Sequence, residues 1–141
     1  MQNDTTNHVT RTPPADPADA AAYFGRRFRF ETDCWDVHST QGKKDRGFML
    51  LDVRSAELYE RGHLPGARHL PHWEMNEQRL AHFPPDTLFV VYCAGPHCNA
   101  AQKAALRLTQ MGRFAKEMIG GVEGWKDEGF KLSRSPSAVG V

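Results

Sequence analysis

Leu88-Phe89-Val90-Val91-Tyr92-Cys93-Ala94-Gly95-Pro96-His97-Cys98-Asn99, running into Ala100-Ala101-Gln102-Lys103-Ala104-Ala105, is the stretch on which the fold turns. Five apolar residues in succession suit a strand buried on both faces of a parallel sheet. Six small, turn-forming or polar residues follow, and then a run of good helix formers. Such an order places Cys93 at the end of a strand and above the start of a helix, where main-chain N–H groups and the helix dipole favour negative charge. Loop residues this short let those N–H groups converge on one atom. A free thiol titrates near pH 8.5, and each unit of downward shift is roughly 1.4 kcal/mol in favour of the thiolate, so one or two units make Cys93 a usable nucleophile. The same position equally suits a buried cysteine that only packs.

Further strands and helices alternate on either side. Phe48-Met49-Leu50-Leu51 is a second apolar run, ended by Asp52; Ser55 opens a short helix with Glu57 in its first turn, and Gly62 stops it. His63 to Ala67 supplies turn chemistry, Arg68 to Pro71 reads as a short edge strand, and Trp73 to Leu80 as a weak helix. Downstream of the Cys93 loop come a helix over Ala100 to Met111, stopped by Gly112, a strand near Ala115 to Ile119, and a helical turn from Val122 to Glu128 around Trp125. Upstream, Asp16-Pro17 has the form of an N-cap and first helical residue, and Ala20 to Phe30 carries Tyr23, Phe24 and Phe28 at helical neighbour spacings. A second short helix is expected from Thr32 or Asp33 through His38, with Cys34 and Trp35 in the core. The alternation predicts an α/β fold on a parallel sheet.

The 141 residues suffice for one domain and one core. Residues 1–15, polar and proline-containing, read as a flexible tail; 16–132 as the domain, with 16–40 as an N-terminal helical extension; 133–141 as a second tail. The net charge is +1 and the 18 Lys and Arg are scattered, which argues against nucleic acid as a partner. No apolar run reaches the roughly 20 residues of a membrane span, and the first residues are too polar for a secretory signal, so a cytoplasmic location is expected. Three cysteines, Cys34, Cys93 and Cys98, do not suit a secreted disulfide scaffold. Their spacing, with no second Cys or His pair downstream, also speaks against structural zinc; neither a metal nor a cofactor is called for.

Four ordered segments carry a resemblance: Leu51-Asp52-Val53-Arg54, Gly62-His63-Leu64-Pro65-Gly66-Ala67, Val90-Val91-Tyr92-Cys93 with its loop, and Gly120-Gly121-Val122-Glu123-Gly124-Trp125. Together they resemble the rhodanese family of sulfurtransferases over about residues 48–132. The resemblance implies a three-layer fold with a central, mostly parallel five-stranded sheet flanked by helices. It also implies transfer of a sulfane sulfur from a small anionic donor such as thiosulfate, through a persulfide on Cys93, to cyanide or a thiol. Ala94, Gly95, Pro96, His97, Cys98 and Asn99 then form the substrate-binding loop, with Asp52 and Arg54 as supporting residues that hold the neighbouring loop. The alternative on the same scaffold is a noncatalytic module that binds a partner or senses persulfide and oxidants.

The loop departs from the commonest family pattern, which has Gly three residues after the Cys and often Arg or Ser two residues later; here those positions are Pro96 and Cys98. Its helix landmarks also fall about two residues late, so the loop reads as longer than the family's six-residue form. A Cys-x5-Arg phosphatase signature is broken by Asn99, which lacks the guanidinium fork that grips phosphate. Cys98 is either a resolving thiol or, the preferred reading, a loop residue that fills space. His97 stands either beside the anion or in solvent, and His63 reads as a turn-packing residue rather than a base.

Overall fold

The computed structural model describes residues 7–134. The parts of the two expected tails at 1–6 and 135–141 lie outside those residues. Residues 7–15 form exposed turns, and the chain is still paired at Ser133, whose backbone exchanges hydrogen bonds of 2.9 and 2.7 Å with that of His63.

Five strands form one sheet: β1 (Glu31–Thr32), β2 (Met49–Asp52), β3 (Arg68–His69), β4 (Leu88–Tyr92) and β5 (Phe114–Met118), in the order β1-β5-β4-β2-β3. Every pairing is parallel, so the sheet is wholly rather than mostly parallel. β4 lies at the centre, in register with β2 through Asp52 opposite Tyr92 and with β5 through Val91 opposite Glu117. β1, a two-residue edge strand between the first two helices, has no periodic signal of its own and is legible only through its pairing with β5.

Among the described residues six α-helices complete the fold: α1 (Pro17–Phe30), α2 (Cys34–Ser39), α3 (Ala56–Arg61), α4 (Glu77–Leu80), α5 (Ala100–Gln110) and α6 (Gly121–Asp127). Their starts follow the capping chemistry: the side chains of Asp16, Asp33 and Ser55 accept from Ala18, Asp36 and Leu58 N–H. The weak helix expected over 73–80 is two pieces, a 3-10 turn at His72–Glu74 and α4, because Asn76 caps a fresh start.

Successive strand residues point to opposite sides, which divides the interior in two. Leu51, Phe89, Val91 and Leu70 pack with Ala101, Ala104 and Leu108 of α5. Leu50, Val90, Tyr92 and Met118 pack with Cys34 and Val37 of α2 and Val122 and Trp125 of α6. The result is helix, sheet, helix, the three-layer arrangement expected for a parallel sheet. Cys34 is in this core as predicted, but Trp35 is not: it is 60% exposed and meets Phe130 and His38 edge-on, with ring centres 5.7 and 6.5 Å away. In a six-residue helix one face is taken by Cys34 and Val37, and Trp35 falls on the other. α1 buries no residue at all, so its aromatic spacing makes a helix without a core-facing stripe.

Candidate active site

Cys93 directly follows β4, the central strand, and is 3% exposed. Its carbonyl accepts from Val122 N–H at 3.0 Å, and that of Ala94 accepts from Glu123 N–H at 2.8 Å. The first turn of α6 therefore holds two loop carbonyls. Gly121 makes this approach possible: its φ is +58°, and a Cβ there would land on the Cys93 carbonyl oxygen and 2.7 Å from Gly95 N. Gly95 is constrained in the same way, since a Cβ would lie 2.8 Å from Cγ of Glu123. Cys98 N–H donates to Gly95 O at 3.1 Å, closing a turn that folds the loop back over Cys93.

Six residues, Ala94 to Asn99, separate Cys93 from α5, whose N-terminus has no side-chain cap. Its free backbone groups meet sulfur instead. Hydrogen bonding from Ala101 and Gly95 favours the thiolate of Cys93, while Ala100 and Ala94 do the same for Cys98. From sequence the loop donors are expected to serve one sulfur, whereas the fold divides them between two. Burial accordingly dominates at Cys93 and pushes its thiol above the ordinary range, with the neighbouring Cys98 thiol adding to the rise; the Cys93 S–H donates to Cys98 O at 3.2 Å. Cys98, half-buried, is lowered: the main-chain donors, the Cys93 thiol and the charge of Lys103 together outweigh its smaller desolvation. The Cys93 thiol therefore holds its proton more tightly than the Cys98 thiol does.

Cys93 opens onto a cavity of about 200 Å³ lined by Gly95, Pro96, Gln102, Glu117, Ile119 and Gly121 among others. Ala94, Pro96, His97, Cys98 and Asn99, with Gln102, line a wider, shallower hollow of about 650 Å³ on the outer side of the loop. His97 is exposed. Gln102 and Glu117 escaped sequence reasoning. Gln102 Nε2 donates to Glu117 Oε2 at 2.6 Å, joining α5 to β5 across the mouth of the cavity. Glu117 is pushed upward by burial and by the neighbouring Glu31 carboxylate. The available signal was a carboxylate one residue before Met118, the buried end of a five-residue strand.

Asp52 and Arg54 do not line either cavity. Arg54 Nε and Nη2 grip the two Asp52 carboxylate oxygens at 3.0 and 2.7 Å, and Nη2 also donates to Gly62 O at 2.6 Å. Tyr92 Oη donates to Asp52 at 2.7 Å and accepts from Leu64 N–H at 3.1 Å. This network ties the ends of β2 and β4 to the Gly62–Ala67 turn. His63 packs in that turn, stacked on Tyr59 with ring centres 3.8 Å apart, and its Nδ1 lies 2.8 Å from Tyr59 O. Gly66, at φ +83°, supplies the turn's left-handed residue. Cys34 serves the core only: burial pushes its thiol up to about 11. Among the described residues no group of His, Cys, Asp and Glu is arranged to hold a metal ion, and no helix is long and apolar enough to cross a membrane.

Comparison with known proteins agrees with this geometry. The Rhodanese-like domain profile matches residues 36–128. A thiosulfate sulfurtransferase, GlpE, of Pseudomonas putida is 34% identical over 86 residues, covering 60% of this chain and 74% of that protein. The HTH-type transcriptional regulator Rv0324 of Mycobacterium tuberculosis is 38% identical over 83 residues, which cover 59% of this chain but only 36% of the regulator. Among solved structures, the BH2092 protein of Bacillus halodurans superposes with a TM-score of 0.79 at 34% identity, covering 84% of this chain and 86% of that one. A central all-parallel sheet with a cysteine at the end of its middle strand, four ordered signatures and a profile matched over most of the chain establish that it belongs to the rhodanese-like domain family.

Proposed function

We propose that this protein is a single-domain sulfurtransferase that carries a sulfane sulfur on Cys93. The observation that supports this most directly is the position of Cys93: it ends the central strand, faces a cavity, and receives main-chain hydrogen bonding from Gly95 and Ala101 that favours an anionic sulfur. In the first half-reaction the Cys93 thiolate attacks the outer sulfur of thiosulfate. A sulfur–sulfur bond forms to Cys93, the bond to the sulfonate sulfur breaks, and sulfite leaves with its electron pair. In the second, cyanide or a thiolate takes the outer sulfur and returns the Cys93 thiolate. Both anionic forms of residue 93 draw on the same N–H donors, so neither a metal nor a general base is needed once the thiol has ionised. Ala94, Gly95, Pro96, His97, Cys98 and Asn99 form the loop that receives the donor, and Asp52 and Arg54 act by positioning it from behind.

With thiosulfate and cyanide the purified protein is expected to form thiocyanate, and Cys93→Ser is expected to form none. Turnover by that variant at a comparable rate removes the proposal. A second reading, a noncatalytic persulfide or oxidant sensor, is favoured by the burial of Cys93, which keeps its thiol protonated to higher pH. Under that reading Cys93 still takes up sulfur but thiocyanate does not accumulate.

A further inference from the structure

We propose that Cys98 is a second working thiol, which resolves the Cys93 persulfide by forming a Cys93–Cys98 disulfide and releasing hydrosulfide. The inference rests on the persulfide reading of Cys93 and adds an activity to it: reductive release of the sulfur when no external acceptor takes it.

Three observations carry it. The turn closed by Cys98 N–H and Gly95 O brings residue 98 back over residue 93, so that Cys93 Sγ lies only 3.2 Å from the carbonyl oxygen of Cys98 itself. The Cys98 side chain also packs against the core cluster to which Cys93 belongs, which keeps it on the Cys93 side of the loop. The two cysteines also look onto different spaces: Cys93 onto the smaller cavity and Cys98 onto the larger, more open hollow. A disulfide between them is thus reachable from solvent on the Cys98 side by a reducing thiol. Main-chain donors and the Lys103 charge that favour ionised Cys98 supply the thiolate form that sulfur exchange requires.

The step balances without an added oxidant. The Cys93 persulfide anion and the Cys98 thiol together hold one proton. Cys98 attacks the inner sulfur, the bond between Cys93 Sγ and the outer sulfur breaks, and the outer sulfur leaves with both electrons and that proton as hydrosulfide. The sulfane sulfur is reduced and the two cysteinyl sulfurs are oxidised to a disulfide. A dithiol reductant, attacking at Cys98, must then restore the pair. The reaction that follows this one is therefore a thiol–disulfide exchange, and the reaction that uses its product is one that consumes sulfide.

The experiment incubates reduced wild-type protein, Cys98→Ser, Cys98→Ala and Cys93→Ser with a few equivalents of thiosulfate and no acceptor. Released sulfide, intact mass and free thiols are then read. The wild type is expected to release about one equivalent of sulfide and to lose about 2 Da, with Cys34 the thiol that stays free. Both Cys98 variants are expected to gain about 32 Da and release no sulfide, and Cys93→Ser to do neither. A wild type that holds the added sulfur with Cys98 still free overturns the proposal and leaves the sulfurtransferase reading standing. So does sulfide release by the Cys98 variants equal to that of the wild type. If no protein gains sulfur or releases sulfide, the sulfurtransferase reading falls and takes this inference with it.

Discussion

Glu117 sits between Val91 and Glu31 in the register of β4, β5 and β1 and faces the cavity of Cys93, where no lysine or arginine joins it among the described residues. A dianion such as thiosulfate meets a like charge there, whereas an uncharged donor or acceptor does not. Glu117→Gln is therefore expected to raise kcat/KM for thiosulfate about three- to tenfold and to leave that for an uncharged persulfide or trisulfide donor within about twofold. Steady-state kinetics on both donors check it. The pH dependence separates two groups with opposite signs. Glu117, raised by burial and by Glu31, ionises as pH rises, so KM for thiosulfate climbs with pH through its titration. Arg27 pairs with Glu31 at 2.9 Å rather than with Glu117, whose carboxylate is met by the uncharged Gln102 amide, so the Glu117 charge is not cancelled locally. The attacking thiolate also increases with pH, and because burial raises the Cys93 thiol, kcat continues to rise on the alkaline side of neutrality. In Glu117→Gln the KM profile flattens and the kcat profile keeps its slope.

At the scale of the element, the active loop is shaped by the start of α6 as much as by its own sequence. Val122 and Glu123 N–H hold the carbonyls of Cys93 and Ala94, and the Gly121 Cα lies against the same peptides. A methyl at position 121 meets backbone, which does not yield as a side chain does, and it must also adopt φ +58°. Gly121→Ala is expected to cost roughly 2–4 kcal/mol of stability in urea unfolding, and to lower thiosulfate turnover more than Gly129→Ala, which meets open space at a similarly positive φ. Equal effects of the two substitutions on turnover remove the link between α6 and the loop. The family's Gly-Gly-x-x-x-Trp signature acquires a physical meaning here: Gly121 admits the loop, and Trp125 anchors the helix that grips it by packing in the core and donating to Lys131 O at 3.0 Å.

For the whole molecule, the Asp52 network connects two central strands to the turn beneath them through a carboxylate with no solvent contact. Removing the acid leaves a buried guanidinium unpaired, while removing the tyrosine hydroxyl leaves the ion pair intact. Asp52→Ala is expected to cost about 3–5 kcal/mol and Tyr92→Phe about 1 kcal/mol, measured by chemical denaturation. A loss below 1 kcal/mol for Asp52→Ala shows that the network does not hold the fold together. Solvent-facing ion pairs such as Arg61–Glu57 contribute far less, since water screens them.

The sequence by itself determined the elements and their order. Capping residues Asp16, Asp33 and Ser55, the unbroken apolar runs at 48–51 and 88–92, and the glycines after α3 and α5 are local signals, and each element they mark is present. It also placed Cys93 at a strand end, because strand, loop and helix follow one another directly along the chain. Only the tertiary structure decided what surrounds that sulfur. Glu117 reaches the cavity through the register of β5 against β4, and β1 exists only because β5 offers it an edge. Trp35 turns outward because Cys34 and Val37 occupy the buried side of α2. The division of main-chain donors between Cys93 and Cys98 likewise depends on how α6 bends the loop and where α5 begins. Local periodicity fixes which way a residue points within its own element; which charges and donors it then meets is set by contacts between segments far apart in the chain, and those come from packing.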